Sequence, residues 1–132
     1  MRQRLILLFI LLLLTAVTIA SNAAPAQAST NTAGCYLHLL APWKVGKQMK
    51  ARSYVDGCQY PQNQIVVRAL IYNENVSSAV QANTCTNAKT CTATVTLTCT
   101  APGNYWMSTA SALLNSTTWL SALASQSQYY TC

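Results

Sequence analysis

The sequence predicts an all-β domain stapled by disulfides, and three observations carry that reading. Residues 91–99 alternate strictly, with Cys91, Ala93, Val95, Leu97 and Cys99 on one side and Thr92, Thr94, Thr96 and Thr98 on the other, the period-two signature of a strand with one buried face. Other β-branched or alternating runs are separated by turn residues at the spacing of an all-β fold. Six cysteines, Cys35, Cys58, Cys85, Cys91, Cys99 and Cys132, all follow the apolar N-terminus, and an even count in so short an exported chain reads as a disulfide framework. A metal site is not indicated, since there is no Cys-x-x-Cys and His38 is the sole histidine.

The elements follow in order. Residues 1–28 read as a helical signal peptide: Arg2 and Arg4 precede an apolar run from Leu5 to Ala20, and Ala26-Gln27-Ala28 supplies the small-residue cleavage site. The apolar run is 16 positions long, short of the roughly 20 that span a bilayer, so a membrane is expected only through an uncleaved signal. Residues 29–34 form a polar leader expected to be flexible, and residues 35–132 a single domain. Strands are expected at 36–43 and 48–56 around a turn at Lys44-Val45-Gly46-Lys47, at 65–72, at 91–99, and at about 104–113 and 121–131. The run Ile65 to Tyr72 is apolar on both faces except for Arg68, which predicts a central strand covered on both sides.

The cysteines pair by turn symmetry. Opposed residues of an antiparallel hairpin share a midpoint, and the midpoint of Cys35 and Cys58 falls between Gly46 and Lys47, that of Cys85 and Cys91 on Ala88, and that of Cys99 and Cys132 between Asn115 and Ser116. All three are turn-like, so three nested bridges are expected. The first register sets Leu39 opposite Tyr54 and Trp43 opposite Lys50, mixing core and surface residues, which a bulge would relieve.

On these residues the chain resembles small secreted proteins of unknown function from actinobacteria and related soil bacteria. The features are Cys35 followed by a strand containing Pro42, Cys58 followed by the Val-rich strand Ile65 to Ile71, Cys99 before Gly103-x-Tyr105, and the terminal Cys132. The resemblance implies a small immunoglobulin-like antiparallel β-sandwich and implies no activity; Cys85, Cys91 and the stretch Leu113 to Leu120 depart from the pattern. Tyr105 is similar to the tyrosine of the tyrosine corner, although Met107 stands where a Cys is usual.

Catalytic machinery is not evident. After residue 28 the acids are Asp56 and Glu74, and both read as turn residues rather than as a glycosidase pair. A hydrolase triad would need His38 and Asp56, but the expected register faces His38 to Val55, with Asp56 on the other side of the strand. The four glycines are isolated, so there is no phosphate loop and no cofactor is expected. The threonine row reads as the solvent side of one strand, too narrow for an ice-binding surface.

The chain beyond residue 28 carries Lys44, Lys47, Lys50, Arg52, Arg68 and Lys89 against two acids, which is far from the dense basic stripe of a nucleic-acid binder. Trp43, Lys44, Lys47, Lys50, Arg52 and Tyr54 cluster at the first hairpin. Cations beside aromatic faces suit an anionic or sugar-like ligand, whereas the plain reading is an edge hairpin kept soluble by lysines. The function expected is therefore a secreted, non-enzymatic module binding an anionic cell-envelope polymer, a small ligand or an extracellular protein. The alternative is a secreted effector, a toxin, antimicrobial or enzyme inhibitor, on a disulfide scaffold.

Overall fold

The computed structural model describes residues 27–30, 34–75, 77–100 and 102–132. Most of the expected signal peptide and part of the leader lie outside the described residues. The described residues form nine strands and no helix: β1 (Gln27–Thr30), β2 (Tyr36–Val45), β3 (Gln48–Asp56), β4 (Gln62–Asn73), β5 (Ser78–Ala88), β6 (Cys91–Thr98), β7 (Gly103–Leu114), β8 (Thr118–Ala124) and β9 (Gln128–Thr131). They build two antiparallel sheets, β1-β2-β3-β6 and β5-β4-β7-β8, with β9 also paired to β7. Strands β2, β3 and β6 face β4, β7 and β8/β9 in the order of an immunoglobulin-like sandwich, with the strand after β4 joined to the second sheet.

Alternation places the core. Leu37, Leu39, Met49, Ala51, Val55, Ala93 and Val95 point inward from the first sheet, and Ile65, Val67, Ala69, Ile71, Trp106, Ala110, Leu114 and Leu120 from the second. Ser53, also inward, donates to the Arg68 carbonyl at 2.9 Å and ties the sheets at mid-core.

Several expectations are corrected. Ser29 and Thr30, placed in a flexible leader, pair with Leu37 and Tyr36. Strand β5 was not anticipated: nearly every residue of it is exposed or only partly buried, so it carries no alternation for a sequence reading to find. The last expected strand is two, because Ser125 interrupts it: its N–H bonds the Ser108 carbonyl and its hydroxyl accepts the Ser108 N–H at 2.9 Å. Strand β4 is central, but its outer residues Val66, Leu70 and Tyr72 are partly buried and Arg68 is exposed; among the described residues only one of its faces is covered.

The bridges are Cys35–Cys58, Cys85–Cys91 and Cys99–Cys132, as expected. Only the first closes a hairpin. Cys85 lies on β5 of the second sheet and Cys91 on β6 of the first, while Cys99 follows β6 and Cys132 follows β9, so two of the three staple one sheet to the other.

Candidate functional site

The site is built by a slip in β2. From Tyr36 to Leu40 the strand pairs in one register with β3, and from Trp43 to Val45 in the next, with Ala41 and Pro42 between. Proline has no N–H to give to a ladder and marks such a bulge. One extra residue reverses the side-chain parity: Leu37 and Leu39 point inward, Pro42 is buried, and Trp43 turns to the outer face. Pro42 is held by the second sheet, since Tyr130 donates its hydroxyl to the Pro42 carbonyl at 2.6 Å and Ser108 to the Leu40 carbonyl at 3.2 Å.

Trp43 thereby stands opposite Lys50, with the Arg52 guanidinium 5.8 Å from its ring centroid, inside the range of a cation–π contact. Arg52 also donates to the Thr94 hydroxyl at 3.4 Å. Tyr54 continues the face, its ring stacked on His38 at 4.6 Å and 9°. The β3–β6 register sets Lys50, Arg52 and Tyr54 beside Thr96, Thr94 and Thr92, so the threonine row borders the cations instead of standing alone. The outer face of the first sheet thus sets aromatic rings, guanidinium, ammonium and hydroxyl groups side by side.

Of the six residues singled out at the first hairpin, Trp43, Lys50, Arg52 and Tyr54 share this face. Lys44 does not: it pairs with Met49 on the inward parity and its ammonium donates to the Thr131 carbonyl at 2.5 Å. Lys47 sits in the exposed turn after Gly46. The edge-hairpin reading fails for the cations on β3, because that strand is paired along its length on both sides.

The same slip corrects the reading of His38. It faces Tyr54, not Val55, and its Nε2 lies 2.8 Å from an Asp56 carboxylate oxygen. Leu39 likewise faces Ser53. Asp56 is the last residue of β3, where Gly57 takes φ +66° and a Cβ there would meet the Tyr36 ring at 2.7 Å. Among the described residues no hydrogen bond joins His38 to a hydroxyl or thiol. Glu74 accepts from the Tyr105 N–H at 3.4 Å, on an element of the other sheet. Tyr105 makes no tyrosine corner; it is half-exposed, its ring edge-on to Tyr129 at 5.1 Å.

The outer face of the second sheet is of another kind. It presents Val66, Leu70, Val80, Met107, Leu113 and Trp119, the last 58 % exposed, and a groove of about 480 Å³ crosses it beside Arg68. Alternation in β7 and β8 shows these residues only once the strand bounds are known, and β5 had no signal at all.

No protein-family model matches the chain and no curated protein matches it. Among solved structures it is similar to the GAE domain of GGA2p from Saccharomyces cerevisiae, at 9 % identity and a TM-score of 0.31, over 82 % of this chain and 96 % of that domain. That likeness is too distant to bear on function.

Proposed function

We propose that the chain is an exported, non-enzymatic binding module that takes an anionic, sugar-like polymer of a cell envelope on the outer face of its first sheet. The observation that carries the reading is the Pro42 bulge, which turns Trp43 out of the core parity and sets it against Arg52 and Lys50. A large aromatic left half-buried on the outer face is a poor choice for stability and a good one for stacking on a sugar ring, while the two cations supply charge-assisted hydrogen bonds to carboxylate or phosphate. The row of groups spread across β2, β3 and β6 suits an extended chain rather than a small ligand, and Thr92, Thr94 and Thr96 add hydroxyl donors and acceptors along it. The apolar run at the N-terminus and the three bridges support export.

The test uses exported, oxidised protein and polygalacturonate as the probe. Binding is expected to weaken as salt rises, because exposed charges are screened beyond about 8 Å at physiological ionic strength. Replacing Lys47, Lys50 and Arg52 together by Gln should lower affinity about a hundredfold, as losing the two charge-assisted contacts of Lys50 and Arg52 at about 1.5 kcal/mol each requires. Binding by the triple variant equal to that of the parent, at equal fold content, would remove this face from consideration.

A further inference from the structure

The second sheet carries a separate site, independent of the polymer reading. Its outer face is apolar across β5, β4, β7 and β8, yet at its centre stands one charge, Arg68. The cross-strand neighbours of Arg68 are Ala82 on β5 and Ser111 on β7, so neither side offers an acid. Its side chain makes no hydrogen bond or ion pair with any described residue. An exposed guanidinium on a sheet normally finds a carboxylate across the strand; this one is left with its planar fork of donors open.

Beside it lies the groove of about 480 Å³, within the range of about 300–1,000 Å³ typical of small-molecule sites. Its form has a cause in the sequence. The β7–β8 ladder slips by one residue between Ala110 and Ala112, so that Ser121 and Ala122 together face Ser111, a bulge that bends the strand away from the plane. The outward positions there are small, Thr109, Ser111, Ala122 and Ala124, while Leu70 and Val80 stand higher on β4 and β5. A low floor between taller apolar side chains, with a guanidinium at its border, results.

We propose that this groove binds a small apolar carboxylate of the fatty-acid kind, with Arg68 taking the carboxylate and Leu70, Val80 and the alanine floor taking the hydrocarbon. The Arg68 fork matches two carboxylate oxygens bidentately, which an ammonium would not. A second copy of the chain fits this face poorly: packed about a twofold axis, the two apolar faces would bring Arg68 against its equivalent with no acid on either face to separate them. An acid-bearing apolar ligand covers the face and neutralises the charge at once.

Calorimetric titration of the exported, oxidised protein with decanoate and with decanol tests this. One decanoate per chain is expected, bound more tightly than decanol. Arg68→Gln should weaken decanoate at least tenfold and leave decanol unchanged, and Ala122→Leu, which raises the floor, should weaken both. Lys50→Gln with Arg52→Gln should bind decanoate like the parent. Decanoate affinity unaffected by Arg68→Gln, or lost with the first-sheet pair, would overturn the proposal. So would the absence of saturable decanoate binding, or a dimer in sedimentation that excludes decanoate and survives Arg68→Gln, which would give the face to a second copy.

Discussion

The outer face of the first sheet mixes Lys50, Arg52, Asp56, His38 and four threonines with its aromatic rings, whereas the outer face of the second carries Val66, Leu70, Val80, Met107, Leu113 and Trp119 around the single charge of Arg68. Both are the outer sides of the two sheets of one sandwich, and they differ in what their outward positions carry. On the first sheet Asp56 meets His38, and Arg52 meets Trp43 and Thr94. On the second, Arg68 has no such partner among the described residues. On the reading proposed above, the first face takes its ligand by charge and stacking; the second leaves apolar area exposed that a ligand would remove from water, at about 25 cal/mol per Å². Each face is also opened by its own bulge, at Ala41–Pro42 and at Ser121–Ala122.

The comparison holds only while one rigid sandwich presents both faces, and the largest expected effect comes from unlinking the sheets. Cys99–Cys132 closes a separation of 33 residues and Cys85–Cys91 one of 6. On the chain-entropy account, replacing the first pair by Ser should cost about 4 kcal/mol and the second about 2 kcal/mol. Urea unfolding of the two variants measures both, and equal losses would show that loop length does not govern these bridges.

A middle-sized effect separates the faces. Deleting Ala41 removes the bulge, so that Pro42 follows Leu40 in regular alternation and Trp43 stays outward opposite Lys50, while Leu40 and Pro42 lose the geometry that brings their carbonyls to Ser108 and Tyr130. Two hydrogen bonds at about 1 kcal/mol each set the scale, a loss of about 2 kcal/mol. Adding Trp43→Ala to the deletion removes the ring that Arg52 faces, and the combined variant should abolish polygalacturonate binding and spare decanoate binding at temperatures where it is folded. Loss of both ligands together would mean that the two faces are not independent.

How much of this was legible follows from where alternation survives. In β6 Cys91, Ala93 and Val95 are buried at alternate positions, so that strand and its inward side could be read directly; β3 alternates as well, but the expected register set its Tyr54 against the core residue Leu39. Strand β5 has no buried side, and Ser78–Ala88 therefore looked like loop. The cysteine pairs were found through turn midpoints, yet β5 and β6 belong to different sheets and Cys99 is not on β7; two of the three midpoints coincide with turns without being their cause. The slip in β2 had a visible mark, Pro42 inside a strand, but its position had to be known to the residue, since one place decides whether His38 meets Val55 or Asp56 and whether Trp43 is core or surface. The two-sided apolar pattern of β4 was read as double cover, and the described residues cover only one side.

The smallest effect probes the contact that holds the first face to the second sheet. Tyr130 donates to the Pro42 carbonyl at 2.6 Å, and burial raises its hydroxyl above the usual value of 10.0. In the unfolded chain the same group ionises near pH 10. The folded state therefore keeps a proton that the unfolded state gives up, so the stability from this group is complete below about pH 10 and declines as pH rises through the raised folded value. Tyr130→Phe lacks both the titration and the donor. At about pH 8 the variant should be less stable by about 1 kcal/mol, the worth of one hydrogen bond. As pH passes about 10 the parent loses its advantage, because a phenolate cannot donate to a carbonyl and is poorly solvated where it sits. Denaturant midpoints of parent and variant, measured side by side from about pH 8 to pH 11, should converge. A gap that stays constant over that range would show that the Tyr130 hydroxyl does not anchor the bulge, and that Ser108 holds the Leu40 carbonyl in place without it.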